Sequence, residues 1–206
     1  MNWKLIIKDP AKQPLDGTYN NWKEQIAEEC FHQCVYCSIH ENPWGGIDHY
    51  HIDHFRPKSK SEFNHLENDI CNLFYACPVC NRFKSDDWPG EPDNLDKICY
   101  PDPSKTDYKT LFQLNQTNYS IYSVYKSGNY LIHRLFLNRP QLIYERRENT
   151  LRQKELGLFE DISKLIQDCN DITIIKKSIS ALTEIRQHLE KRNHIRPYTL
   201  AEIRKP

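Results

Sequence analysis

The sequence predicts an α+β fold that is organised by a metal-binding segment and flanked by helices. Two Cys-x-x-Cys pairs stand at Cys34 and Cys37 and at Cys77 and Cys80, and residues 33–88 are dense in Cys, His, Asn and aromatic side chains. Apolar residues recur every three or four positions before this segment and again in the C-terminal part, which is typical of amphipathic helices. We therefore expect a metal-held core, an N-terminal helix and a C-terminal helical hairpin.

The composition predicts a globular protein without a global charge bias. Among 206 residues, 28 Lys and Arg balance 28 Asp and Glu, and 38% of residues are hydrophobic. Attraction to nucleic acid would have to come from local basic clusters. The first residues, "MNWKLIIKDP", are too short for a signal peptide, and no run reaches the length of a membrane span, so a cytoplasmic protein without membrane contact is expected. In such a chain, eight cysteines indicate metal binding rather than disulfides.

The first 33 residues predict one strand and one helix. Residues 3–7 form a short apolar run that ends at a proline-marked loop, which favours a strand. Between about residues 20 and 32, Trp22, Ile26 and Cys30 recur every four residues and predict a helix with one buried face. Residues 34–100 are then assigned to the core, which closes with a loop rich in Pro, Asp and Gly.

The remainder of the chain predicts a hairpin and three helices. Within residues 101–137, apolar and polar residues alternate around an Asn-Gln-Thr-Asn turn, and "YLIHRLFLNRP" follows as a short helix. Within residues 138–206, Asn138 is the expected N-cap and Pro140 lies in the first turn of a helix that runs to about Cys169. A second long helix before the tail is marked by Ile172, Ile175, Ile179, Leu182 and Leu189. Both charge signs on the exposed faces favour a solvated surface or a partner-docking arm.

The two cysteine pairs predict a structural Zn²⁺ site. Two thiolates separated by two residues can bind one tetrahedral ion, and two such pairs complete a four-sulfur site. Unrelated free thiols or a redox motif are the alternatives, although a redox site needs only one pair. Because four cysteines leave no open coordination position, this ion would hold the fold and take no part in catalysis. The cysteines without this spacing are predicted to be small buried apolar residues: Cys30, Cys71, Cys99 and Cys169.

The dipeptide Asp-His occurs twice between the pairs, at Asp48-His49 and at Asp53-His54. A carboxylate beside an imidazole can bind a metal and activate a water, or it can be ordinary polar decoration of a strand. Only the second dipeptide is followed by "FRPKS" and then, from Asn72, by "NLFYACPVCNRFKSD". This ordered set, from Cys34 to about Lys84, resembles the zinc-containing form of the HNH endonuclease family.

The resemblance implies a ββα-metal fold, in which two strands and a helix hold one divalent cation. It implies that Asp53 and Asn81 bind this cation, that His54 is the general base and that Asn72 braces the loop. With Asn81 in the last motif position the chain is an HNN variant, and oxygen donors suit Mg²⁺ or Mn²⁺. Neighbouring strand residues point to opposite faces, so a twist or turn near Pro57 is needed to bring Asp53 and His54 into one cleft.

Several polar residues near this set are further candidates. The possible phosphate contacts are Arg56, Lys58, Arg82 and Lys84, two of which are expected to be only solvated surface charges. His51 has the strand parity of Asp53 and could line the cleft, but a strand histidine bonded to backbone is an equally good interpretation. Asp48 and His49 are interpreted as the polar start of the strand. No ligand spacing is found for His32, His40, His65, His133, His188 and His194.

The resemblance therefore implies a metal-dependent endonuclease that hydrolyses phosphodiester bonds, with DNA favoured over RNA. "CPVCNRFKSDDWP" and "YLIHRLFLNRPQLIYERR" also resemble HNH proteins of Septu and retron-associated anti-phage systems, which implies an effector nuclease that works with an ATPase. Because the chain has no glycine-rich ATP-binding loop, that ATPase would be a separate subunit. The alternatives are an RNA-cleaving effector and a zinc-stabilised binding or adaptor module without catalysis.

Overall fold

The computed structural model describes residues 3–194, and the chain divides into two compact units between Ile143 and Tyr144. The first unit contains the helices α1 (Lys23–Glu29), α2 (Pro78–Lys84), α3 (Tyr108–Leu111) and α4 (Lys126–Arg134) and the strands β1 (His51–His54), β2 (Leu73–Ala76), β3 (Gln113–Leu114) and β4 (Ile121–Tyr122). Helix α5 (Pro140–Asp168) begins in this unit and continues into the second, which also contains α6 (Ile172–His194). Helices combined with two small antiparallel sheets make an α+β arrangement.

The N-terminal residues form no strand, so the prediction for residues 3–7 is wrong. Trp3 and Ile6 are buried, and the Trp3 indole donates to the backbone oxygen of Tyr36 at 3.2 Å. The Ile6 amide donates to the carbonyl oxygen of Pro103 at 3.4 Å. These contacts fasten the segment to the core, but a strand needs a row of backbone bonds to a neighbouring strand.

The helix predicted for residues 20–32 is shorter than expected. A 3-10 helix at Tyr19–Trp22 precedes α1, which buries Ile26 and Ala27 and packs against β2. Phe31 and His32 have φ angles of 57° and 55°, a left-handed conformation in which a right-handed helix cannot continue. The two residues turn the chain from α1 towards the first cysteine pair.

Strands β1 and β2 and helix α2 form the centre of the first unit. The strands are antiparallel, with Asp53 opposite Phe74 and His54 opposite Leu73. All four residues of β2 are buried, whereas the two ends of β1 are accessible. Helix α2 follows directly, with Cys77 as its N-cap and Pro78 in its first turn. Proline is favoured there because the N–H group that it lacks would have no partner within the helix. Two strands followed by a helix are the order that the HNH resemblance implies.

The C-terminal half contains the hairpin β3–β4, the short helix α4 and two long helices. The side chain of Asn138, predicted as an N-cap, pairs with both backbone groups of Ile121, at 2.8 Å each. Helix α6 begins after Asp171, whose carboxylate accepts from the Thr173 amide at 2.7 Å and so caps the helix. The predicted tail, residues 195–206, lies outside the described residues, and the four segment boundaries stay predictions. None of the helices within residues 3–194 has both the length and the apolar character to cross a lipid bilayer.

Candidate metal centre and active site

The four predicted cysteines come together in one buried cluster. The sulfur atoms of Cys34, Cys37, Cys77 and Cys80 all lie within 4.8 Å of one another. With Zn–S bonds of about 2.3 Å, neighbouring sulfurs of a tetrahedral site are about 3.8 Å apart. The sulfurs of Cys37 and Cys77 are separated by 3.8 Å, so the donor set fits zinc. Within the described part of the chain, no other group of three or more His, Cys, Asp and Glu side chains could share an ion.

Local backbone geometry brings the two pairs together. In the first pair, the Ser38 amide donates to the Cys34 oxygen at 2.8 Å and makes a tight turn. The Val35 amide donates to the carbonyl oxygen of Tyr75 at 2.9 Å and attaches this turn to β2. In the second pair, the amide of Cys80 points at the Cys77 sulfur at 3.4 Å. An ion in the cluster would therefore join the turn before β1 to the helix after β2.

The chemistry of the thiols agrees with a structural site. Four buried thiolates this close together would repel one another, so a cation is needed if all four sulfurs are to be deprotonated. Among the other cysteines, Cys30 and Cys99 are buried as predicted, whereas Cys71 and Cys169 are partly exposed. Burial raises the pKa of Cys30 to about 11, which makes it an unreactive thiol.

Asp53 lies on the buried face of β1 and is 3% exposed. The Tyr36 hydroxyl donates to its Oδ2 atom at 2.6 Å, and the Lys84 ammonium donates to its Oδ1 atom at 3.1 Å. Both carboxylate oxygens therefore already have donors. In this arrangement Asp53 is the counter-ion of a buried lysine, and each of its oxygens accepts one of the roughly two hydrogen bonds that it could accept.

Asn81 and Lys84 lie three residues apart on α2 and hence on the same side of that helix. Asn81 is half-buried, and its side chain makes no hydrogen bond within the described residues. The side of α2 that faces Asp53 thus carries both a possible oxygen ligand and the ammonium group that binds the carboxylate. The predicted cation site of Asp53 and Asn81 is not formed as the side chains stand, and its assignment stays a prediction.

The prediction that Lys84 contacts substrate phosphate disagrees with its position. Lys84 has no exposed surface, and its ammonium also donates to the backbone oxygen of His54 at 2.7 Å. A lysine committed to two buried acceptors cannot reach a phosphate at the surface. The sequence could not distinguish this role, because a Lys in the last turn of a short helix is equally compatible with the surface.

His54 lies on the opposite, half-buried face of β1. Its Nε2 atom is 3.0 Å from the carbonyl oxygen of Glu67. Since a carbonyl can only accept, Nε2 carries the proton and Nδ1 carries the lone pair of the neutral ring. Burial lowers the pKa of His54, which keeps the ring neutral at neutral pH. His54 is therefore a proton acceptor with a defined tautomer.

Asn72 joins the two ends of the loop between β1 and β2. Its Oδ1 atom accepts from the Arg56 amide at 2.8 Å, and its Nδ2 group donates to the carbonyl oxygens of Arg56 at 3.1 Å and Leu66 at 3.3 Å. The side chain is buried, so these bonds are not shared with bulk water. Asn72 thus braces the loop, and its role in the family motif stays a prediction.

The segment that contains these residues also matches a known protein family. A family model described as HNH endonuclease matches residues 34–87. The match supports the HNH superfamily. It includes both cysteine pairs, Asp53, His54, Asn72 and Asn81. No curated protein and no solved structure matches the chain, and the likeness to Septu and retron-associated proteins stays a prediction.

The His54 side of the HNH segment includes a residue that lies outside the match. Tyr19 packs edge-on against the His54 ring, with ring centroids 4.7 Å apart. The ammonium of Lys58 donates to the Tyr19 hydroxyl and to the Glu67 carboxylate, at 2.8 Å in each case. The Tyr19 amide in turn donates to the Asn68 side chain at 2.9 Å. No sequence signal links Tyr19 to His54, because the contact arises only when the N-terminal segment folds over the loop.

The remaining candidates lie around the edge of the HNH segment. Arg56 binds the Glu91 carboxylate at 2.7 Å and stacks over Trp88, whereas Arg82 is exposed on α2. His51 is exposed at the start of β1. Asp48 and His49 do not begin the strand as predicted but lie in a 3-10 helix, Ile47–His49, and the His49 ring contacts the Gly45 oxygen at 3.1 Å.

Proposed function

We propose that the protein is a nuclease that hydrolyses phosphodiester bonds, with His54 as its general base. One observation carries this proposal: within a segment matched by the HNH endonuclease model, His54 is accessible and offers the Nδ1 lone pair of a neutral ring. His49 lies in the same match and, with Nδ1 facing the Gly45 carbonyl oxygen, would offer its Nε2 lone pair. It differs from His54 in its position, because it lies in a 3-10 helix outside the two strands and the helix α2.

The proposed step is a proton transfer. Nδ1 of His54 takes a proton from water, the water oxygen bonds to phosphorus, and the bond from phosphorus to the leaving sugar oxygen breaks. The Glu67 carbonyl holds the ring in the required tautomer and accepts a stronger hydrogen bond from Nε2–H when the imidazolium forms. Tyr19 limits rotation of the ring. A positioned general base typically contributes about 10²–10⁴ in rate.

The substrate phosphates would be held by the basic side chains that remain accessible. Arg82 is exposed on α2, and Arg56 and Lys58 are partly exposed in the loop that follows β1. Arg56 and Lys58 are bound to Glu91 and Glu67, and a phosphate would have to compete with these carboxylates. Arg82 is therefore the first candidate for a phosphate contact, and Lys84, which is fully buried, is the last.

The HNH resemblance also implies a catalytic Mg²⁺ or Mn²⁺, and we include this cation requirement in the proposal. Bound near the scissile phosphate, such an ion would neutralise the charge on the leaving oxygen. At Asp53 it would have to displace Lys84 or Tyr36, or bind one of the carboxylate lone pairs that they leave. The proton transfer to His54 does not depend on how the cation binds, so omission of the added metal tests the cation requirement and His54→Ala tests the base.

The substrate and the biological role rest on the family resemblance alone. We propose DNA as the substrate in preference to RNA, and a role as the effector nuclease of an anti-phage defence system with a separate ATPase subunit. Co-purification with the product of a neighbouring ATPase gene, followed by size-exclusion chromatography, tests the partner. A chain that elutes alone under all nucleotide conditions would contradict it.

The nuclease proposal is tested by incubating supercoiled plasmid with the purified chain and Mg²⁺ or Mn²⁺. We expect nicking of plasmid by the zinc-loaded chain that requires the added Mg²⁺ or Mn²⁺ and falls at least about 100-fold in His54→Ala. His65→Ala, which removes an exposed histidine from the loop between β1 and β2, is the matched control and should nick normally. Full activity in His54→Ala would refute the assignment of the base, and His49 and His51 would then be the next candidates.

The buried pair of Asp53 and Lys84 favours a second function, a zinc-stabilised binding or adaptor module without catalysis. Under this alternative, plasmid, linear DNA and single-stranded RNA all stay intact, with and without the ATPase subunit. Cleavage of RNA alone would instead keep the nuclease and overturn the preference for DNA.

A further inference from the structure

Arg139, which lies outside the HNH match, reaches the second cysteine pair. Its Nη1 atom is 3.8 Å from the Cys80 sulfur, and its Nη2 atom is 3.8 Å from Cys80 and 4.0 Å from Cys77. The same guanidinium donates to the backbone oxygens of Leu135 at 3.2 Å and Phe136 at 3.4 Å. One side chain therefore links the metal-binding sulfurs to the connection between α4 and α5, residues 135–139.

The charge of the cluster gives this contact a physical reason. Four thiolates and one Zn²⁺ carry a net charge of −2, and the four cysteines are buried. Buried charge without compensation is costly. Lys84, the fully buried lysine on α2, is already paired with Asp53. Arg139 is positively charged at every physiological pH, and its planar group offers several N–H donors at once.

A second contact holds the same connection against α2. The rings of Phe83 and Phe136 lie 4.7 Å apart, and Phe136 adopts a left-handed φ of 48°. Two residues later, Asn138 is bonded to Ile121 of β4. Phe136 thus holds the connection against α2 and Asn138 holds it against β4, and Arg139 adds the contact that reaches the cysteines.

We propose that Arg139 belongs to the outer shell of the zinc centre. It reduces the negative charge of the centre from −2 to −1, donates N–H groups to Cys77 and Cys80, and couples zinc binding to the position of residues 135–139. The zinc centre then has a role beyond the HNH segment, because it anchors the chain that leads into α5. This inference rests on the cysteine site and is independent of nuclease activity.

The first test is zinc affinity, measured on the full chain by competition with a chromophoric chelator. Loss of an outer-shell partner typically weakens metal binding by about 10–100-fold, and we expect a loss in this range for Arg139→Gln. Arg139→Lys keeps the charge but loses the planar guanidinium with its several N–H donors, so its affinity for zinc should be intermediate. Arg82→Gln removes an exposed arginine from α2 and should bind zinc like the parent chain.

The second test separates an effect on the metal from an effect on folding. With Co²⁺ in place of Zn²⁺, hydrogen bonds to the thiolates stabilise the sulfur lone pairs and raise the energy of thiolate-to-metal charge transfer. Arg139→Gln should therefore shift this absorption band to longer wavelength, and Arg82→Gln should not. If Arg139→Gln does not fold, the same shift is expected, to a smaller extent, in Arg139→Lys.

Hydrogen exchange tests the proposed coupling. In zinc-loaded Arg139→Gln, the amides of residues 135–139 should exchange faster than in the parent, while those of β2 should not change. The proposal is overturned if the folded variant keeps the zinc affinity and the Co²⁺ band of the parent. Weaker zinc binding without a spectral shift would likewise reject the direct contact with the sulfurs.

Discussion

The two faces of β1 differ in what their neighbouring side chains do. Asp53 is held by Tyr36, which lies within the first cysteine pair, and by Lys84, which ends the helix that carries the second pair. Its partners thus belong to the zinc-held core. His54, the next residue, contacts Tyr19 and the Glu67 carbonyl in an accessible region. A motif of two adjacent residues therefore combines a buried, ion-paired carboxylate with a partly exposed imidazole.

Loss of zinc should have the largest effect on folding and cleavage, because the partners of Asp53 on the buried face of β1 belong to the zinc-held core. Structural zinc sites contribute on the order of 10 kcal/mol to folding. We expect Cys77→Ser, or strong chelation, to abolish the near-ultraviolet circular dichroism of the aromatic core together with any cleavage. Cys169→Ser removes a cysteine between α5 and α6 and should leave both unchanged. A zinc-free chain with an intact near-ultraviolet spectrum would show that the core does not need the ion.

The second effect should come from breaking the buried ion pair. Lys84→Met leaves the Asp53 carboxylate buried without its cation, and removing one partner of such a pair typically costs about 3–5 kcal/mol. Urea denaturation measures this loss in the free energy of unfolding. Lys97→Met is the matched control, because it breaks an exposed pair with Asp93 and should cost at most about 1 kcal/mol.

The double variant Asp53→Asn, Lys84→Met sharpens this prediction. Because it removes both charges, it should be more stable than Lys84→Met alone. If the two single substitutions instead added up, the carboxylate and the ammonium would be shown to act independently. If Lys84→Met were as stable as the wild type, Asp53 would have to contact solvent or a metal ion, and this would support its role as a cation ligand.

A smaller effect is expected on the accessible face, from Tyr19. Misplacement of a catalytic group can cost up to about 100-fold in rate, and Tyr19→Ala frees the His54 ring. We expect a loss of about 10-fold to 100-fold in plasmid nicking, whereas Tyr19→Phe keeps the ring contact and most of the activity. Tyr122→Ala, at an exposed tyrosine of β4, is the control. Equal rates for Tyr19→Ala and the parent would show that His54 needs no support from the N-terminal segment.

The smallest effect concerns Arg82, the exposed arginine of α2. If it contacts one phosphate, Arg82→Gln should weaken binding of nucleic acid equally for all sequences and lower the slope of log affinity against log salt by about 1. Binding is measured by fluorescence anisotropy at several salt concentrations, with His54→Ala protein so that no cleavage occurs. An unchanged slope would remove Arg82 from the phosphate contacts.

Local spacing explains why part of the fold and site was predictable. The two cysteines of each pair, which are separated by two residues, could be assigned to one ion, because the reach of a Cys-x-x-Cys turn is a local property. The three- and four-residue periodicities of residues 140–194 coincide with α5 and α6 for the same reason. The strand at residues 3–7 was predicted wrongly, because a strand depends on a partner strand that local sequence does not provide.

The sequence by itself determined the four-cysteine cluster, the order of strand, strand and helix around it, and the candidate base His54. The cysteine cluster follows from the spacing of the cysteines, and the other two follow from the resemblance of the ordered motifs to the HNH family. Only the tertiary structure decided that Asp53 is neutralised by Lys84, that Tyr19 supports His54 and that Arg139 approaches the cysteines. The physical reason is distance along the chain: these contacts join residues 31, 35 and 59 positions apart, and only packing brings such residues together.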